Sequence, residues 1–258
     1  MLTFPLKQTT EYARLLNGVG RAGEVSALFG VPQIARAQIL AALAEDAKRP
    51  VIAVCAGEAE ATRFAEDLNT FGIPAEVFPA RDFTLRPVEG QNREYEYRRL
   101  SVLGNLVSGR TKAVCVPAEA ALQHTLPRDE FVKNTLTIKY AMDISPNELI
   151  TRLYEAGYIR RFQVEGPGQF AVRGGIVDLY APDMQTPHRI EFWGDSIDSI
   201  HTFDLMSQRR EKQVKKIYLS PAREVLFGSC EKAAVLLRES VQKSKSIHKK
   251  QLEACMQA

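Results

Sequence analysis

The sequence predicts an α/β protein, in which a parallel-sheet domain contains an inserted, mainly antiparallel α+β domain. Two observations support this fold class. Up to about residue 125, buried apolar runs alternate with helical segments, and this β-α-β order is typical of a parallel sheet covered by helices on both faces. From residue 126 to 220, short strands of alternating polarity follow one another between turn residues, as in an antiparallel meander with one solvated face.

Each element of the first half is predicted from its own pattern. Short apolar runs predict strands at 24–30, 50–56, 75–78 and 111–116. Apolar residues at helical spacing predict helices at 33–45, 58–71 and 93–106. Gly72 follows the second of these helices, at the position where glycine commonly ends a helix.

The second half begins with a helix at 145–157, because Ser145 can cap it, Pro146 suits its first position and Gly157 can end it. Strands are predicted at 134–140, 158–165, 169–173, 176–181, 188–193, 197–204 and 215–219. We therefore place the first part of the α/β domain at residues 1–125 and the inserted domain at 126–220. Residues 221–258 are expected to return to the α/β domain as a truncated helical segment.

Composition excludes several classes of function. The net charge is +3, and the basic tail of residues 231–258 supplies this whole excess, so the nearly neutral body argues against a large DNA-binding surface. No apolar run could span a membrane and no secretion signal is present, so a cytoplasmic protein without a membrane partner is expected. The 4 cysteines are too scattered for a zinc site, and neither a catalytic nor a metal-binding constellation emerges.

Residues 28–37 (LFGVPQIARA) stand where a strand would lead into the phosphate-binding loop of an ATPase. Such a loop needs glycines around the phosphates, a lysine, and a hydroxyl residue for magnesium. Here glutamine and alanine replace glycines, arginine replaces lysine, and alanine replaces the hydroxyl residue; the positions are Gly30, Gln33, Ala35, Arg36 and Ala37. The segment is either a degenerate, non-functional P-loop of a RecA-like domain or an unrelated strand–turn–helix. Neither interpretation predicts a bound nucleotide.

One strand of the meander combines an apolar face with a charged, aromatic face. Alternation places Arg189, Glu191 and Trp193 on one side, and Ile190 and Phe192 on the other. The apolar pair is the natural core contact, which leaves the Trp on the solvated side between charges, as in an interface hot spot. A Trp packed on the domain's own loops would give the same pattern.

Further basic residues in this domain could contact a partner. Arg173 precedes the Gly174–Gly175 turn, although a plain hairpin with a solvated arginine is equally consistent. The run containing Arg209, Arg210 and Lys212 could contact acidic groups or phosphate, or could form a solvated face.

The chain resembles the N-terminal module of transcription-repair coupling factors (the Mfd family) in three segments: AVRGGIVDLYAP, PHRIEFWGDSIDSIHTFDLMSQRR and IYLSPAREVLF. That module is similar to the first domains of the excinuclease component UvrB, and the specific part of the resemblance is residues 169–227. A coupling factor fits better than UvrB, which keeps a working P-loop and a long aromatic hairpin. In this sequence, residues 78–93 lead directly into the next helix, without such an aromatic hairpin.

This resemblance implies that the antiparallel domain binds the damage-recognition ATPase UvrA, through Arg173, Arg189, Glu191 and Trp193. It implies a non-catalytic module that directs nucleotide excision repair to stalled RNA polymerase. The DNA translocase motor, with its ATP and magnesium, and the contacts with RNA polymerase would lie outside this chain, and C-terminal domains of the parent protein would contact the module. Three alternatives stay open: a fragment of the excinuclease component UvrB, a direct DNA-binding module using Arg209, Arg210, Lys212 and the tail, and a structural scaffold.

Overall fold

The computed structural model describes residues 3–19, 21, 23–81, 93–226, 234–236 and 238–239. The mixed α/β class is confirmed. The helices are α1 (Phe4–Lys7), α2 (Thr10–Val19), α3 (Gln33–Asp46), α4 (Glu58–Thr70), α5 (Glu94–Val107), α6 (Ala118–Ala121), α7 (Arg128–Lys133) and α8 (Pro146–Glu155). The strands are β1 (Val51–Cys55), β2 (Ala75–Val77), β3 (Ala113–Pro117), β4 (Leu136–Lys139), β5 (Ile159–Arg160), β6 (Gln169–Arg173), β7 (Ile176–Tyr180), β8 (His188–Trp193), β9 (Ser196–Phe203), β10 (Arg210–Gln213) and β11 (Lys216–Leu219).

The parallel sheet has the order β1-β3-β2, with both outer strands paired to β3. Helices α3 and α4 cover one face of this sheet, where small buried residues such as Ala37 and Ala61 let the helices approach Cys55 and Cys115 closely. Helix α5 covers the other face through Val102, which packs with residues of β3. The prediction of helices on both faces is therefore confirmed.

The predicted strand at 24–30 is wrong. These residues form no strand and are all exposed, including the apolar Val25 and Phe29. A strand is held by pairing with a neighbour, and within the described chain β1 pairs only with β3. Ile52 and Val54 of β1 are likewise exposed. Local apolar pattern indicates that a segment could be a strand but does not provide its partner.

The second sheet has the order β10-β9-β8-β7-β6-β5 and is antiparallel except for the parallel pair β5–β6. Helix α8 packs on one face of it, with Leu149 and Leu153 in the same core as Phe170 and Ile190. The predicted cap is present, since Ser145 Oγ accepts a hydrogen bond from the Glu148 backbone N–H at 3.1 Å. This core buries one face of the sheet, and a smaller cluster that contains Val164, Ala171 and Phe203 covers part of the other face.

Several details of the antiparallel region differ from the prediction. The strand predicted at 158–165 is limited to β5, Ile159–Arg160. Strand β10 is not predicted from the sequence, which indicates only a basic run there, because all residues of this strand are polar and exposed. Strands β4 and β11 pair with each other in a separate antiparallel sheet, rather than extending the meander. After β11, the Ala222 N–H donates to the Ala156 carbonyl at 2.8 Å, which ties this segment to the end of α8. The sequence interpretations of residues 82–92, and of most of 227–258, lie outside the described residues.

Candidate partner-binding site

The six-stranded sheet carries polar residues in register on the face that points away from its core, here called the outer face. Two rows of paired residues cross it: Arg173–Ile176–Glu191–Ser199 and Ala171–Asp178–Arg189–His201. Residues directly opposite each other on antiparallel strands share a face. Their sequence neighbours Phe170, Val177, Ile190 and Ile200 are fully buried in the core below. The predicted alternation of β8 is therefore confirmed.

Arg189 lies at the centre of the outer face and is already paired within the chain. Its Nε and Nη2 atoms donate to the two carboxylate oxygens of Asp178 at 2.7 and 2.9 Å. Its Nη1 atom donates to the Gln208 carbonyl at 3.2 Å, and its guanidinium lies 4.9 Å from the centre of the Phe203 ring. The hydrogen bond with Asp178 raises the pKa of Arg189 above its ordinary value.

This pairing changes the interpretation of Arg189. The side chain of Asp178 is 2% exposed and that of Arg189 is 14% exposed, so the pair is largely withdrawn from solvent. A two-pronged guanidinium–carboxylate contact is among the strongest side-chain interactions. In the free chain, Arg189 therefore does not offer an acidic partner the free pair of N–H groups that the sequence interpretation gives it. It holds neighbouring strands and the 205–209 loop in position.

Glu191 is also engaged within the chain. Its Oε2 atom accepts hydrogen bonds from Ser199 Oγ and Arg210 Nη1, both at 2.9 Å. This contact joins the predicted partner-binding residue Glu191 to one residue of the predicted basic run. Arg210 is consequently neutralised by Glu191, although about half of its side chain stays exposed.

Arg173 and Trp193 are the predicted contact residues that solvent reaches freely. Trp193 is 84% exposed at the end of β8. Arg173 is exposed at the end of β6, and no ion pair involves it among the residues that the structure describes. Tight turns follow both, since Gly174 and Gly194 have φ angles of 58° and 60°, which favour glycine. An exposed cation and a large aromatic ring on one face form a surface suited to recognition.

Comparison with known proteins relates most of the chain to one repair factor and its second half to one family model. Residues 136–225, which include strands β4 to β11, match the family model described as "UvrB interaction domain". The chain is 29% identical over 234 residues to the transcription-repair-coupling factor of Bacillus subtilis, covering 90% of this chain and 20% of that protein. The corresponding protein of Escherichia coli is 30% identical over 222 residues, covering 85% and 19%, and that of Myxococcus xanthus is 32% identical over 216 residues, covering 80% and 18%.

The resemblance to transcription-repair coupling factors is thereby confirmed. The chain spans about a fifth of the length of the coupling factors that it matches. The outer face described above lies wholly inside the segment that matches the UvrB interaction domain.

The segment predicted as a degenerate P-loop opens helix α3, which begins at Gln33. Gly30 is exposed with a φ of 70°, Ala35 is partly buried, and Ala37 lies fully buried in the core. Arg36 donates from Nε to the Val31 carbonyl at 3.4 Å. The segment borders a cleft of about 810 Å³ whose walls are mainly apolar, with Phe29, Leu40 and Phe64 among them. The strand expected before this segment is absent, so the strand–loop–helix arrangement of a P-loop is only half present.

The other basic residues lie near the edge of the second sheet. Arg209 is an exposed loop residue whose carbonyl accepts from the Asp204 backbone N–H at 3.1 Å. Lys212 is exposed on β10, and its backbone N–H donates to Thr202 Oγ1 at 3.1 Å. Both side chains remain predicted contacts with acidic groups or phosphate.

Sequence reasoning leaves two important residues without a role. Asp178 is a strand carboxylate that cannot be paired without a fold, and the register with β8 provides its partner. Phe162 does not stand out in the sequence, although it is 92% exposed beside Arg173. An isolated phenylalanine in an apolar strand pattern gives no signal that its ring faces solvent.

Among the described residues, no helix is long and apolar enough to cross a membrane.

Proposed function

We propose that this chain is the UvrA-binding module of a transcription-repair coupling factor and that it has no catalytic role of its own. The observation that carries the proposal is the coincidence of two results. The UvrB interaction domain match covers residues 136–225, and the predicted contact residues lie on one face of the six-stranded sheet within it, with Arg173 and Trp193 exposed. A sheet face with an exposed arginine and tryptophan suits protein recognition, because these residues are enriched at interface hot spots.

The residues of the outer face divide into two roles in this proposal. Arg173 and Trp193 contact UvrA directly, since both are exposed and have no competing ion pair in the described chain. Arg189 and Glu191 hold the face in shape through Asp178, Ser199 and Arg210. Their contribution to binding is then mainly the positioning of neighbouring strands.

The parallel-sheet part, residues 1–125 with the segment after 220, would be a scaffold derived from a RecA-like ATPase domain. Three parallel strands with helices on both faces support that proposal. The replacement of the P-loop residues supports a scaffold that does not hydrolyse ATP. ATP hydrolysis, DNA translocation and contact with RNA polymerase would then belong to other parts of a cytoplasmic parent protein.

A calorimetric titration of the chain with UvrA tests this proposal, using wild type, Arg173→Ala and Arg63→Ala. Arg63 is a suitable control because it is exposed on α4, outside the matched segment. We expect Arg173→Ala to weaken binding at least about tenfold, which corresponds to about 1.4 kcal/mol. Arg63→Ala should bind like wild type. Absence of binding by the wild-type chain would contradict the proposal, and tight, salt-dependent binding to a DNA duplex would favour the DNA-binding alternative.

A further inference from the structure

Three strands of the six-stranded sheet have their carboxyl ends at the same end of the sheet. Strand β5 is parallel to β6, and both β6 and β8 are antiparallel to the intervening β7. The carboxyl ends of β5, β6 and β8 therefore meet at one end of the sheet. Phe162 follows β5, while Arg173 and Trp193 are the last residues of β6 and β8.

Phe162 is an apolar ring held out in solvent beside a cation. It is 92% exposed, and the guanidinium carbon of Arg173 lies 6.0 Å from the centre of its ring. This distance is at the outer limit of a cation–π contact, so Arg173 shields little of the ring from water. A large aromatic side chain gains free energy when it leaves water, because about 25 cal/mol is gained per Å² of apolar surface buried. Phe162 is therefore available as an anchor for a partner.

Positive charge without a carboxylate partner in the described residues lies beside Phe162. Arg161 and Arg173 are exposed, and no ion pair involves them in the part of the chain that the structure describes. Arg160 pairs with Phe170 and therefore belongs to the opposite face of the sheet. By contrast, Arg189 and Arg210 each have a carboxylate partner. Charge complementarity thus favours an acidic partner at this end of the sheet.

We infer that Phe162, together with Arg161 and Arg173, forms a second anchor of the partner-binding face and receives an acidic protein surface with an apolar recess. This inference rests on the proposed function, because UvrA would contact this anchor and Trp193 at the same time. Strands β5 and β8 are three strand spacings apart, or about 14 Å. Both anchors therefore fit within one interface of ordinary size, about 800 Å² on each partner.

A protein fits this surface better than a nucleic acid does. Glu165, Asp195 and Asp198 are exposed in the loops and strand beside these anchors. Carboxylates at these positions repel a phosphate backbone, whereas a protein can place a basic or neutral group opposite each of them. The mixture of aromatic rings, arginines and a few acids is the composition of a protein interface.

The test is a calorimetric titration of the chain with UvrA, comparing wild type with Phe162→Ala, Arg173→Ala and Phe29→Ala. Phe29 is a matched control because it is 90% exposed but lies before helix α3, far from this sheet in sequence. We expect Phe162→Ala to weaken binding at least about tenfold and Phe29→Ala to change it less than about twofold. The variant Arg161→Glu should slow association and reduce its dependence on salt. Equal thermal unfolding midpoints establish that each variant is folded.

The outcomes separate this inference from the proposed function. If Arg173→Ala weakens UvrA binding and Phe162→Ala leaves it within about twofold of wild type, the second anchor is wrong while the proposed function stands. If wild type does not bind UvrA, the proposed function fails and the inference fails with it. A parallel titration with a DNA duplex tests the nucleic-acid alternative. If Phe162→Ala loses duplex binding but binds UvrA as wild type does, the inference that this anchor receives a protein is wrong.

Discussion

Arg99 and Glu224 form a fully buried ion pair that joins helix α5 to the segment after the last strand. Arg99 Nε lies 2.9 and 3.0 Å from the two carboxylate oxygens of Glu224, and neither side chain has any exposed surface. Thr125 Oγ1 donates to the same carboxylate at 2.7 Å, and Arg81 is a second cation on it. Burial lowers the pKa of Arg99 from its ordinary value. The pair closes a loop of sequence that contains the whole antiparallel region.

Glu224→Gln is expected to destabilise the chain strongly. The variant leaves the Arg99 charge buried without a counter-charge, and breaking a buried pair in this way typically costs about 3–5 kcal/mol. Urea unfolding followed by circular dichroism measures the change. Glu130→Gln is the control, because Glu130 is exposed and its contact with Lys133 is long, at 3.9 Å, so its change should stay below about 0.5 kcal/mol. Similar losses in both variants would contradict the special role of the buried pair.

Replacing Arg189 should lower the free energy of unfolding much more than replacing Arg173. Arg189→Ala leaves the buried carboxylate of Asp178 without its cation and is expected to cost about 3 kcal/mol of unfolding free energy. Arg173→Ala removes an exposed side chain and should change stability by less than about 0.5 kcal/mol. Urea unfolding of both variants tests this. A stable Arg189→Ala chain that nevertheless lost UvrA binding would return Arg189 to the role of a direct contact.

The contrast between these arginines shows what sequence reasoning could provide. The bounds of β6 and β8 follow from local alternation, and so does the face that carries Arg189 and Glu191. The partner of Arg189 does not follow, because Asp178 is opposite it only in the register of two strands. Sequence therefore predicts the same role for Arg189 and Arg173, although Arg189 is paired with Asp178 and Arg173 has no ion pair among the described residues.

Non-local pairing also explains the errors in the fold. Residues 24–30 have an apolar pattern but no strand beside them in the described chain. Strand β10 has no apolar residue, yet it is held to β9 by pairs such as Arg210 with Phe203. Helix α8 could be predicted because the residues that begin and end it, Ser145 and Gly157, flank it in the sequence.

Stability should fall as the pH drops below about 5, and Lys7 should account for part of that fall. Hydrogen bonds from Lys7 hold the pKa values of Glu45 and Asp46 below their ordinary values of 4.5 and 3.8. Because these pKa values are lower in the folded state, their contribution is complete above the ordinary values and is lost as pH falls through the folded ones. Urea unfolding between pH 7 and pH 3 should show a shallower fall for Lys7→Met than for wild type. The exposed Lys133→Met should follow wild type, and parallel curves for Lys7→Met and wild type would contradict this account.

Gly157 and Gly72 offer a matched pair of helix-ending glycines. Both have left-handed φ angles, 86° and 82°, so an alanine at either position is strained by about 1–2 kcal/mol. A Cβ atom at Gly72 would meet nothing within 4 Å, whereas one at Gly157 would lie 2.4 and 2.9 Å from Arg223 Cγ and Cβ. Arg223 directly precedes Glu224, so its displacement would also disturb the buried pair with Arg99. We therefore expect Gly157→Ala to cost at least about 1 kcal/mol more than Gly72→Ala in urea unfolding. Equal losses would mean that the 221–226 segment moves away from α8 without cost.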